Sequence, residues 1–168
     1  MFYRQASDQY INEGVAFEID GTQYPANWLN CTTPEEKAAL GLVEVTNANS
    51  PEDDRFYWVS STLNGAVRTY TNTPKDLDQL KTQWIASTRQ SAYNILVTTD
   101  YMDSRKVNDP TYTAPPAWVS WRESIRTTAK TAVTAINAST NIPTLQIAII
   151  VNWPHDPNYK EPVIVLPT

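Results

Sequence analysis

Apolar positions change their period partway along the chain. In the first third they alternate: Val15, Phe17 and Ile19 share one face of an extended segment, and Asp20-Gly21 supplies the turn that closes it. Thr33-Pro34-Glu35-Glu36 then reads as a helix start, with a capping threonine, proline at the first helical position and an acid three residues after the cap. Gly41 ends that short helix, and Leu42–Val45 and Phe56–Val59 read as strands on either side of the turn-rich Asn47–Asp54. Ala66–Tyr70 is a weaker strand candidate.

From Thr73 the spacing lengthens to three and four residues. Thr73-Pro74-Lys75-Asp76 repeats the capping device and predicts a long helix, with Leu77, Leu80, Trp84, Thr88, Ala92 and Ile95 along one face. The pattern breaks after Thr98, and prolines at 110, 115 and 116 delimit an irregular connection. A second helix follows, with Trp118, Trp121, Ile125, Ala129, Ala132 and Ile136 in its stripe and Arg122, Glu123, Arg126 and Lys130 off that face. Two such helices in succession are expected to pack as an antiparallel pair. Asn141-Ile142-Pro143-Thr144 can open a further helical turn, while Ile147–Val151 reads equally as a strand. The proline-punctuated tail reads as extended.

The expected class is therefore α+β. A small β-rich module with a short helix occupies residues 1–72, a helical module 73–155 and an extended C-terminal arm 156–168.

Charge and composition narrow the partners. The chain has 168 residues and a net charge of −5, and its longest basic cluster is Arg105-Lys106, so the clustered cations that neutralise nucleic-acid phosphates are missing. Its longest apolar run, Ile147–Val151, falls far short of the about 20 residues of a membrane-spanning helix. No secretory signal is read at the N-terminus, so a soluble protein made in the cytosol is expected. Six Trp and nine Tyr carry much of the apolar surface, and such side chains serve cores and protein interfaces alike. Trp28 and Trp58 are expected to be structural, though Tyr24, Trp28, Tyr57, Trp58 and Tyr101 could also offer stacking platforms for sugars.

No cluster announces chemistry. The single histidine, His155, lies between prolines in a turn-like setting, and one histidine with one cysteine cannot build a tetrahedral metal site. Cys31 has no cationic neighbours to activate a thiolate and is expected to be passive and partly buried. Glu52-Asp53-Asp54 lacks the spacing of a calcium loop and reads as a solvated acidic turn. With four glycines and no Gly-rich turn between strand and helix, a phosphate-binding loop is disfavoured. No enzyme, cofactor or metal is expected.

Several short segments, in order, carry a resemblance. They are Arg89–Leu96, Thr99-Asp100-Tyr101 with Arg105-Lys106, Pro116-Ala117-Trp118 with Trp121, Arg122, Ile125 and Arg126, and Trp153-Pro154. In this order they resemble the tail-fibre assembly proteins of tailed bacteriophages, a family that includes tail assembly chaperone-like proteins. Tyr101 stands where that pattern usually has tryptophan, Trp121 where it has tyrosine, and the connection Val107–Pro115 is longer. Upstream, Tyr24–Leu29, Thr33–Lys37, Asp54–Trp58 and Lys75–Lys81 resemble a module of phage and prophage tail proteins.

The resemblance implies a non-enzymatic phage tail protein that binds the tail fibre or baseplate and assists fibre assembly by masking apolar surface. It would act in the cytoplasm of the infected host, and either leave before the particle matures or remain in the virion tail. Expected partner contacts are Tyr101, Tyr112 and Trp118 around the inter-helix segment, with Val163 and Val165 of the C-terminal arm. Two alternatives stand beside it: a permanent structural subunit of the tail or baseplate, and a carbohydrate-binding module for host-surface glycans. Self-association into a homo-oligomer is compatible with each.

Overall fold

The computed structural model describes residues 1–159; the arm residues Val163 and Val165 lie outside them. The chain is α+β and divides into two compact units, one spanning Met1–Pro74 and one beginning at Lys75.

In the first unit, strand β1 (Phe2–Arg4) lies between β2 (Gln9–Ile11) and β5 (Leu42–Glu44) and pairs antiparallel with both. β3 (Phe17–Ile19) and β4 (Thr22–Tyr24) form a separate hairpin. Its two turn residues, Asp20 at φ 49° and Gly21 at φ 78°, are both left-handed, as a two-residue turn matched to strand twist requires. Phe17 and Ile19 enter the core with Phe2, Ile11, Leu29 and Leu42. Val15 precedes β3 and is exposed, so the expected inward stripe begins at Phe17.

Two short helices connect the hairpin to β5. α1 (Trp28–Cys31) buries Leu29 and turns Cys31 outward, so the cysteine is exposed rather than partly buried as expected. Trp28 packs edge-on to Phe17 and Tyr24, whose rings stack at 5.0 Å, and this aromatic group closes the core. α2 (Pro34–Ala39) carries the capping box read from sequence: the Thr33 hydroxyl accepts from the Glu36 amide, and the Glu36 carboxylate accepts from the Thr33 amide. Gly41 follows the helix at φ 69°, the left-handed position where a side chain would be strained.

The third sheet is built on a long hairpin. β7 (Tyr57–Asn64) and β8 (Val67–Pro74) pair over eight residues each, and β6 (Thr46–Asn47) adds in parallel beside β8. Both long strands outrun their sequence signals, and Trp58, expected to be structural, is 67% exposed.

The second unit is helical: α3 (Leu77–Val97), α4 (Tyr101–Asn108), α5 (Pro116–Ala138) and α6 (Ile142–Ala148). α3 starts later than its sequence signal. Thr73 and Pro74 belong to β8, opposite Trp58 and Tyr57, and Asp76 caps the helix by accepting from the Gln79 amide at 2.7 Å. The connection expected to be irregular contains α4, anchored by buried Met102. α6 resolves the Ile142–Val151 ambiguity as a helix through Ala148, because Asn141 and Thr144 form a reciprocal cap.

The last turns of α3 lie against the first turns of α5, as in an antiparallel pair. Ala92, Trp121 and Ile125 form the buried centre, with Ile95, Leu96, Trp118, Ala129 and Trp153 around it. Leu80, Thr88 and Ala92 are the buried members of the α3 stripe, and Trp121, Ile125, Ala132 and Ile136 those of the α5 stripe. Arg122, expected off that face, is also buried, at 7% exposure.

Candidate protein-binding surface

Arg122 organises the junction between α3, α4 and α5. Its Nη1 donates to the Leu96 carbonyl at 3.1 Å and to the Thr99 hydroxyl, while Nη2 donates to Asp100 Oδ1 at 2.9 Å and Asp103 Oδ2 at 3.0 Å. A guanidinium suits this place because its fixed fork of donors serves several acceptors at once. The Leu96 carbonyl lies in the last turn of α3, where it also accepts from the Thr99 amide at 3.0 Å and the Thr99 hydroxyl at 2.9 Å, and Asp100 and Asp103 stand at the start of α4. One side chain of α5 therefore joins the end of one helix to the beginning of the next.

The carboxylates remain largely in water, with Asp100 at 51% and Asp103 at 75% exposure. Attraction is consequently weaker than between two buried ions, and the neutral bonds to Leu96 and Thr99 share in fixing the geometry. A cleft of about 100 Å³ opens beside this junction, bordered by Met102, Asp103, Ala114, Val119, Arg122 and Arg126.

The structure places the three candidate contact residues differently. Tyr101 begins α4 and is 58% exposed. Tyr112 is half-buried and lies 4.5 Å from the Arg105 guanidinium, its ring face covered by the cation. Its loop is closed by Asp109, which accepts from the Thr111 amide and hydroxyl at 3.0 and 2.6 Å. These bonds, the hydroxyl first, hold the Asp109 carboxyl below its ordinary range. Trp118 is half-buried and meets Trp121 edge to face at 5.4 Å, so part of its surface serves the helix seam.

Other exposed apolar residues lie on the same elements. Tyr93 and Val97 are 58% and 42% exposed on the final turns of α3, Val107 is 81% exposed on α4, and Val119 is 52% exposed on α5. Val107 lies in the segment expected to be irregular, because Tyr101–Asn108 is too polar to signal α4.

The segment after α6 returns to α5. Trp121 Nε1 donates to the Pro154 carbonyl at 3.0 Å, and Trp153 packs on the Ala92–Trp121–Ile125 centre. Between α5 and α6 lies an open apolar groove of about 410 Å³, walled by Thr128, Thr131, Ala132 and Ala135 and by Ile147 and Ile150. Both isoleucines are 72% exposed. The small α5 residues form the floor because nothing longer than a threonine projects there.

His155 is exposed and stacks on Tyr159 with centroids 3.8 Å apart. Asp53, in the acidic turn, pairs with Arg55 at 2.6 Å. Among the described residues, no group of three or more His, Cys, Asp or Glu side chains is placed to hold a metal ion. No described helix is long and apolar enough to cross a membrane. No protein-family model matches the chain, and neither does any curated protein or solved structure.

Proposed function

We propose that the chain is a non-enzymatic phage tail protein that binds a tail-fibre or baseplate polypeptide and masks its apolar surface during assembly. One observation carries the reading: Tyr93, Val97, Tyr101 and Val107 are all exposed on α3 and α4, which Arg122 ties together at their junction. Apolar groups held at a fixed junction can cover a partner's apolar surface without first losing much conformational entropy. The sequence resemblance to fibre assembly proteins supplies the partner class.

Co-expression with the fibre polypeptide tests this. The wild-type chain is expected to raise the soluble fibre yield and to co-purify with it. Replacing Tyr101 and Val107 by serine removes exposed apolar area without touching the buried seam, so capture falls while the helical circular dichroism stays unchanged. Full capture by the folded double variant would refute this placement of the surface. Mass spectrometry of mature particles separates the two fates, since a permanent subunit is present in fixed ratio to the fibre and a chaperone is absent.

Glycan binding is the second reading, favoured by the 67% exposure of Trp58. It requires tryptophan fluorescence to change on adding host glycans and that change to be lost in Trp58→Ala.

A further inference from the structure

Among the described residues, the long hairpin has one covered edge and one open edge. On the β8 side, the Ala48 amide donates to the Arg68 carbonyl at 2.8 Å. The Asn49 side chain then takes the place of a strand, accepting from the Tyr70 amide at 2.8 Å and donating to the Tyr70 carbonyl at 2.9 Å. Asn72 extends the cover by accepting from the Glu52 amide at 3.1 Å and donating to the Ser50 carbonyl at 3.2 Å.

Those bonds fix which backbone groups point outward. Arg68 and Tyr70 turn theirs away from β7, and residues directly opposite in an antiparallel ladder share that orientation. Their opposites are Leu63 and Ser61, and Val59 follows two residues along, opposite Asn72. Val59, Ser61 and Leu63 therefore direct their N–H and C=O groups away from β8. Among the described residues β8 is the only strand beside β7, and Ser60 through Asn64 are all exposed.

Exposed edges in monomeric proteins are usually blunted by lysine, proline or a bulge. β7 has none of these devices: Tyr57–Asn64 contains no charged residue and no proline, and its register with β8 runs unbroken. Its middle is also close to a palindrome, Val59-Ser60-Ser61-Thr62-Leu63, with apolar ends, hydroxyl residues inside them and Ser61 at the centre. A strand that pairs antiparallel with its own copy sets residues equidistant from the twofold axis opposite each other, so this near-palindrome brings like residues together.

We infer that β7 pairs antiparallel with β7 of a second copy of this chain, about a twofold axis at Ser61. Ser61 then faces Ser61 of the second copy, and Val59 faces Leu63 of the second copy. These outward-directed residues meet as hydrogen-bonded pairs, forming about six backbone bonds and joining two three-stranded sheets into one. Apolar side chains meet apolar ones across the axis, and Ser60 meets Thr62 of the second copy on the opposite face. The neutral strand brings no like charges together, whereas it offers a charged foreign strand no complement.

The test uses the full chain and two charge variants, Ser61→Lys and Ser61→Glu, weighed by light scattering on a sizing column. Ser61 is exposed and its backbone groups are not used by β8, so each variant keeps the hairpin, which circular dichroism checks. Wild type is expected at twice the 19.0 kDa chain mass, and each variant alone at 19.0 kDa because like charges face across the axis. An equimolar mixture of the two variants is expected to recover the doubled mass, since lysine then faces glutamate. A monomeric wild type, a single variant that stays dimeric, or a mixture that stays monomeric would each overturn the pairing. The readout does not depend on any fibre polypeptide, so it stands or falls apart from the proposed function.

Discussion

Arg122 reaches from α5 to the carboxylate of Asp100, 2.9 Å away, at the point where the chain leaves α3 and starts α4. The pair is lopsided: the arginine side chain is 8% exposed and the aspartate 51%. Burying the cation is offset only in part by that exposed partner, and the balance comes from Leu96, Thr99 and Asp103. Arg122 is thus a hub, and each acceptor is one spoke among several.

Removing the hub and removing a spoke should therefore differ. Arg122→Ala removes all four donated bonds and the packing of a buried side chain, leaving Leu96 and Thr99 only the bonds they make to each other, and is expected to cost about 3 kcal/mol of unfolding free energy. Asp100→Asn leaves Asp103 and an amide oxygen in place, and is expected to cost under about 1 kcal/mol. Urea denaturation of both variants checks the ratio. Equal losses would mean that the exposed ion pair, not the buried bonds, holds the junction.

Trp121 joins a ring in the helix seam to a backbone carbonyl at Pro154. Trp121→Phe keeps most of the ring and loses the donor, so stability should fall by about 1 to 2 kcal/mol. The loss should be local as well: the ring resonances of Trp153, which packs on the same centre, are expected to shift while the central amides of α5 stay protected from exchange. Unchanged Trp153 resonances would show that its packing alone retains the segment.

The buried stripes of α3 and α5 were legible because apolar side chains recur at helical spacing, and the α2 cap because Thr33, Pro34 and Glu36 fall within one four-residue stretch. Arg122 was not legible. Its period places it beside the stripe, and only the turn of chain at Thr99–Asp103 supplies the acceptors that make its burial tolerable. α4 was hidden for a related reason, since one buried residue, Met102, gives no period to read. Trp58 was misjudged because alternation in a strand does not say which face is inward. The open edge of β7 needed the partner bonds of β8 before its outward residues could be assigned.

The start of α3 separates two capping schemes that look alike in sequence. Thr73-Pro74 has the better pattern, but the β7–β8 ladder runs through both residues and leaves the cap to Asp76. Asp76→Ala is expected to cost about 1 kcal/mol, the usual loss for a missing N-cap. Thr73→Ala removes no cap bond and is expected to stay within about 0.5 kcal/mol. Thermal denaturation of the two variants decides, and a larger loss for Thr73 would put the helix start at the earlier site.

Asp109 gives the loop before α5 a defined response to acid. Its carboxylate accepts from the Thr111 hydroxyl and amide, and these bonds hold its pKa below the ordinary 3.8. Because the folded value lies below the unfolded one, the ionised form favours the closed loop. That contribution is complete above the ordinary value and fades as pH falls through the lower folded value. The Asp109 carboxyl carbon should accordingly titrate below 3.8 by nuclear magnetic resonance, with the Thr111 amide shifting over the same range. Asp109→Asn retains an acceptor for Thr111 and removes the charge, so the Thr111 amide should lose its acid transition without the loop opening. A Thr111 amide that still titrates in this variant would assign the transition to another carboxylate.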